Sequence, residues 1–126
     1  MTKFAIYQIQ LTKAQVNTVN ETGDFSAVPA FKYMTDMRMD FPGNKIGGLA
    51  YEAFEAGYYT HVANITAENY NDCFEVGNMG PESSIERFGK MSSLSVGDII
   101  IGDDGSMAVV SNYGFTLIGF RPQLAA

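Results

Sequence analysis

One cysteine, Cys73, and one histidine, His61, are all that this chain offers to the chemistry of disulfides, structural zinc and nucleophilic triads. A lone cysteine excludes an internal disulfide and agrees with a reducing compartment. It leaves no Cys-x-x-Cys pair, and a zinc site or a His-based triad needs more partners than these two residues supply. No Gly-x-x-x-x-Gly-Lys-Ser/Thr or Gly-x-Gly-x-x-Gly phosphate loop occurs. Gly47-Gly48 falls inside a helical pattern, where close helix packing accounts for it. No apolar run approaches the roughly 18 residues that span a bilayer, and Met-Thr-Lys-Phe-Ala-Ile lacks signal-peptide character, so an intracellular protein is expected. The expected catalytic set is empty, with no cofactor and no metal.

Basic residues are also scarce. Eight Lys and Arg stand against 14 Asp and Glu, for a net charge of −6 and a pI near 4.5. That balance opposes non-specific binding to nucleic acid or to an anionic membrane. Between Lys45 and Arg87 there is no Lys or Arg, whereas Glu52, Glu55, Glu68, Asp72, Glu75, Glu82 and Glu86 all fall there. The plain reading is a solvated helical surface. The sharper one is a docking face for a basic protein, carried by Glu52, Glu55, Glu68, Asp72 and Glu75. The carboxylates are too sparse for full mimicry of nucleic acid.

What the chain does have is apolar mass: 46% hydrophobic residues, with 9 Phe and 7 Tyr among 126. Burying one Phe or Leu contributes roughly 1.5–3 kcal/mol, so a single folded domain over 1–126 is expected. Residues 4–10 alternate as a strand with its Gln residues toward the exposed side. Thr12 with Gln15 forms a capping box, with Leu11 and Val16 as a hydrophobic staple, for a helix that fades at 20–23. Pro29 opens a second helix over 29–37. Ile46, Leu49, Ala50, Ala53 and Phe54 make the stripe of a third, capped by Asn44 and stopped by Gly57. A strand over 58–65 leads to a helix capped by Thr66 and ended by Gly77. Ser83 and Glu86 can cap one further helical turn carrying Ile85 and Phe88.

Residues 94–120 read as three strands. Asp104-Gly105 signals a type I′ hairpin and Asn112-Tyr113-Gly114 a second turn. The tail at 121–126 reads as frayed. The expected fold is α+β: an antiparallel or mixed sheet of four to five strands, ending in a three-strand meander, with three to four short helices on one face.

The phrase Ser93-Leu94-Ser95-Val96-Gly97-Asp98-Ile99-Ile100, followed by Gly114-Phe115, resembles the YodL-like small domains of phage and mobile-element proteins. The likeness covers residues 59–118. It implies an accessory protein of a phage or mobile element, in the host cytoplasm, and implies no reaction or catalytic residue.

Four further features carry candidate chemistry. Asp98 is a catalytic candidate, but a turn Asp accepting backbone N–H bonds explains its place. Asp103 and Asp104 sit at a hairpin tip without the spacing of a calcium loop. Cys73 falls on an apolar helix face, as a buried inert thiol does. Phe31, Met34, Met37 and Met39 form a patch that is core by default, and an adaptable protein interface where exposed. The leading expectation is therefore an accessory protein that binds a protein partner, basic in character. The alternatives are a ligand-binding protein or enzyme with a pocket near His61 and Asp98, and a self-assembling structural protein that forms homo-oligomers through a sheet edge.

Overall fold

The computed structural model describes residues 1–120; the tail read as frayed, 121–126, lies outside the described residues. Alternation along β1 (Thr2–Ile9) places Phe4, Ile6 and Gln8 on one face and Ala5, Tyr7 and Ile9 on the other. All but Tyr7 of these are buried, as befits a central strand. β1 pairs antiparallel with β2 (Tyr59–Ala67) on one side. On the other it pairs with β4 (Ile99–Ile101). β3 (Ile85–Arg87) extends the sheet beyond β2. β4, β5 (Ser106–Ser111) and β6 (Gly114–Phe120) form the meander. The order is β3-β2-β1-β4-β5-β6, antiparallel throughout.

The α+β class and the meander agree with the sequence, while the sheet has six strands instead of four or five. The extra strand is β3. Residues 82–84 make a single 3-10 turn, and Ile85–Arg87 then pairs with β2, so the expected Ser83/Glu86 capping box does not form. Open backbone groups on β2 offer three residues a ladder, and Ile85 joins the apolar cluster around Phe4.

Helices also cover both faces instead of one. α1 (Lys13–Thr22), α2 (Pro29–Arg38) and α3 (Ile46–Glu55) contribute Val19, Ala30, Met37 and Ile46 to a core with Ala5, Ile9, Ile99, Ile101 and Val109. α4 (Tyr70–Met79) brings Cys73 and Val76 to Phe4, Ile6, Ile65, Ile100 and Val110 on the other side. The run Ile99-Ile100-Ile101 sends isoleucine to both faces, and an apolar surface on each side requires a layer on each.

Local signals set the helix ends with uneven success. The Thr12/Gln15 capping box forms as expected. α4 is capped by Asn69 instead of Thr66, and it runs through Gly77 to end at Gly80. Gly77 is needed for contact instead of termination: a Cβ there would lie 2.7–2.8 Å from Leu94 Cδ1 and Cγ. Gly77→Ala is accordingly expected to lower stability by roughly 1–2 kcal/mol, an overpacking cost partly offset by alanine's helix preference. Urea denaturation reads this directly, and an unchanged midpoint would refute the close-contact role.

The first meander turn also differs from expectation. Type I′ requires positive φ at both central residues, but only glycines have positive φ in the described chain. Residues 102–105 form a turn closed by the Gly105 N–H on the Gly102 carbonyl, with Gly105 at φ 86 and Asp104 Oδ1 accepting from Ser106 N at 2.9 Å.

Candidate functional site

The end of the sheet where β1 finishes and β4 begins is built from polar groups. Asp98 closes a turn in which its N–H donates to the Ser95 carbonyl, while Ser95 N donates to Asp98 Oδ2 at 3.0 Å. The turn role expected of Asp98 is thus present. Gln8, which the alternation had placed toward solvent, is buried. Its Nε2 donates to Asp98 Oδ2 at 3.0 Å and to the Ser92 carbonyl at 2.9 Å, and its Oε1 accepts from Ser92 N at 3.1 Å. The amide pairs with the Ser92 backbone as another strand would. Gln10 Nε2 donates to the Lys90 carbonyl and holds the same segment. The Tyr59 hydroxyl donates to the Gly97 carbonyl at 2.5 Å and contacts Met37 Sδ at 3.6 Å.

Asp98, Gln8 and Gln10 border a cleft of about 320 Å³ lined also by Met34, Arg38, Lys90 and Ser92 among others. Burial pushes the Asp98 carboxyl up to about 7, against the opposing pull of the Ser95 N–H, the Gln8 amide and the Arg38 charge. Burial, followed by the Asp98 charge, likewise raises the Tyr59 phenol. A carboxyl that titrates near neutrality beside a cleft can exchange protons or take a cation.

His61 does not line this cleft. It is half-buried, stacked on Tyr7 with ring centroids 4.8 Å apart and met edge-on by Phe88 at 4.9 Å. Its Nε2 lies 2.8 Å from Asn64 Oδ1, and Asn64 Nδ2 donates to Glu86 Oε1 at 3.3 Å. His61 and Asp98 therefore belong to different surroundings.

A second concavity, about 570 Å³, opens between the end of α2 and the start of α3 and is lined by Asp36, Met39, Pro42, Lys45 and Leu49 among others. Met39 is 61% exposed and Phe41 56%. Tyr113, 77% exposed, stands beside Gly43, and Asn112 Nδ2 donates to the Arg38 and Asp40 carbonyls at 3.4 Å. Asp40 fixes the groove's shape: its Oδ2 accepts from both Lys45 N and Ile46 N at 2.8 Å, capping α3 in place of Asn44.

The expected Met/aromatic patch is divided. Met37 is fully buried, a core residue by the helical phase that also aims Ala30 inward. Met34 borders the Asp98 cleft, Phe31 stacks on Phe25 at 5.2 Å, and Met39 alone of the four belongs to the groove. The acidic set is likewise split, because α3 and α4 cover opposite faces. Glu52 and Glu55 are exposed on α3, and the Tyr33 phenol on α2 has its pKa raised by partial desolvation and then by the Glu52 charge. Glu68 and Glu75 lie on the α4 side. There Asp72 is occupied in capping, with Oδ2 accepting from Glu68 N at 2.9 Å and its own N–H donating to Asn69 Oδ1.

Cys73 is fully buried, and burial pushes its thiol up to about 12, which makes it a poor nucleophile. Among the described residues no three His, Cys, Asp or Glu side chains gather as a metal site, and no helix is long and apolar enough to cross a membrane. No family model, curated protein or solved structure matches the chain.

Proposed function

We propose that this chain is a small accessory protein that acts by binding another protein, and that the α2–α3 groove is its docking surface. The observation that carries the reading is an apolar floor of Met39, Pro42 and Leu49, open to solvent beside Phe41 and Tyr113. Exposed methionine and aromatic side chains are costly as mere surface and suited to adaptable recognition. Leu49 and Glu52 lie three residues apart on α3, so one acidic residue of that helix stands beside the groove. The partner segment this fits presents an apolar side chain with a basic residue next to it. The resemblance of residues 59–118 to YodL-like domains supplies the setting, a phage or mobile element acting inside its host.

Affinity capture from bacterial lysate tests the surface when variants are compared. A partner retained by the natural chain is expected to be lost from Met39→Asp and reduced by Glu52→Lys with Glu55→Lys, and kept by Glu68→Lys with Glu75→Lys on the opposite side. Equal retention by all of them overturns the assignment.

A further inference from the structure

Asp98 is 9% exposed, and both of its side-chain hydrogen bonds, from Gln8 Nε2 and Ser95 N, end on Oδ2. Among the described residues no fully enclosed side-chain oxygen or nitrogen lacks a partner, so the unbonded Oδ1 opens on the cleft that Asp98 lines. Oδ1 receives no donor from the protein, so a ligand that brings one can take the place of solvent there. Arg38 and Lys90 border the same cleft, both exposed, and neither forms an ion pair among the described residues. Arg38 acts on the Asp98 charge without touching it. Ile9, Leu11 and Met34 supply an apolar wall.

We propose that this cleft binds a small zwitterion of the amino-acid type, its ammonium on Asp98 Oδ1, its carboxylate on Arg38 and Lys90, and an apolar side chain against Leu11 and Met34. A plain anion would set its charge near Asp98 and leave Oδ1 without a donor. A plain amine would face Arg38 and Lys90. A molecule with both charges meets each group with its complement, and about 320 Å³ falls at the small end of ligand sites. Because burial holds Asp98 protonated up to about 7, an arriving ammonium favours its ionised form, so binding at pH 6 releases a proton to the buffer.

The test is a titration of the full chain, followed by amide NMR shifts, with L-leucine and with two compounds that each keep one of its charges, isocaproate and isoamylamine. L-leucine is expected to shift Ser92, Ser95 and Asp98 saturably and to bind about tenfold more tightly than either single-charge compound, the worth of one charge-assisted contact. Asp98→Asn and Arg38→Gln are each expected to weaken it by about tenfold. Asp98→Asn keeps the acceptor for Gln8 and Ser95. Arg38 is exposed and outside the core, so its variant tests the site whatever Asp98→Asn does to folding. Absence of a saturable shift, isocaproate or isoamylamine binding as tightly as L-leucine, or unchanged binding by Arg38→Gln overturns the proposal. None of these outcomes bears on the α2–α3 groove, whose variants are different.

Discussion

Asp98→Asn is expected to make the protein more stable at pH 8 and to flatten its stability between pH 4 and 7. The ordinary carboxyl value is 3.8, and burial raises that of Asp98 to about 7. The unfolded chain therefore releases this proton near pH 4, while the folded chain keeps it to about pH 7. Between those values the folded state binds the extra proton, so stability falls as pH rises. Its contribution is complete below pH 4 and lost above about pH 7. A shift of this size corresponds to roughly 4 kcal/mol at most, taken as about 1.4 per pH unit. Asparagine has nearly the same shape, can accept from Gln8 and Ser95 with one oxygen, and never carries the buried charge. Denaturation at several pH values isolates the effect as a difference between the two chains. That subtraction removes the exposed carboxylates Asp24, Glu82 and Asp104, whose pKa values shift downward and act in the opposite sense. Parallel pH profiles for the two chains would show that Asp98 is ionised and solvated in the fold.

The second large effect is expected at Asp40. Its single Oδ2 holds the Lys45 and Ile46 N–H groups at 2.8 Å each, and both Asp40 and Ile46 are buried. Asp40→Ala leaves two helix-end donors without an acceptor and removes a negative charge from the positive end of α3, at a cost of about 3 kcal/mol. Asp40→Asn keeps an acceptor and is expected to cost about 1 kcal/mol. Urea denaturation of the three chains orders them, and equal midpoints for Asp40→Ala and the natural chain would exclude the capping role. The same change bears on the proposed docking surface, because Asp40 sets the start of α3 and with it one wall of the groove.

Why Asp40 escapes a reading of the sequence is physical. The capping box of α1 spans Thr12 to Gln15, within the three-residue reach that a local pattern registers. Asp40 caps from five and six residues away, across Pro42-Gly43, where no local rule applies. Gln8 is hidden in the same way: its partners Ser92 and Asp98 are 84 and 90 residues distant, so a polar residue in a strand reads as solvent-facing. Gly77 looks like a helix stop until Leu94 is seen lying on it. By contrast, Ile46, Ala50 and Ala53 were legible because a buried helical stripe repeats at short range, and all three are fully buried. The meander was legible through its isoleucines and turn glycines.

The candidate sites divide along the same line. Met39 and Glu52 were recognisable as interface residue types, yet no pattern could show that the α2–α3 junction brings Met39 to Leu49, one turn from Glu52, while Glu68 and Glu75 fall behind the sheet. Asp98 was recognisable as a turn residue. The cleft it faces needs Arg38 from α2 and Lys90 from the strap over β1, and that meeting exists only in three dimensions.

The docking claim is tested most directly by photo-crosslinking in bacterial cells that produce the protein, with a photoreactive phenylalanine placed at Met39 in one chain and at Glu75 in another. A crosslinked partner at Met39 and none at Glu75 is the expected result; a partner captured equally from both positions, or from Glu75 alone, contradicts the assignment of the α2–α3 groove.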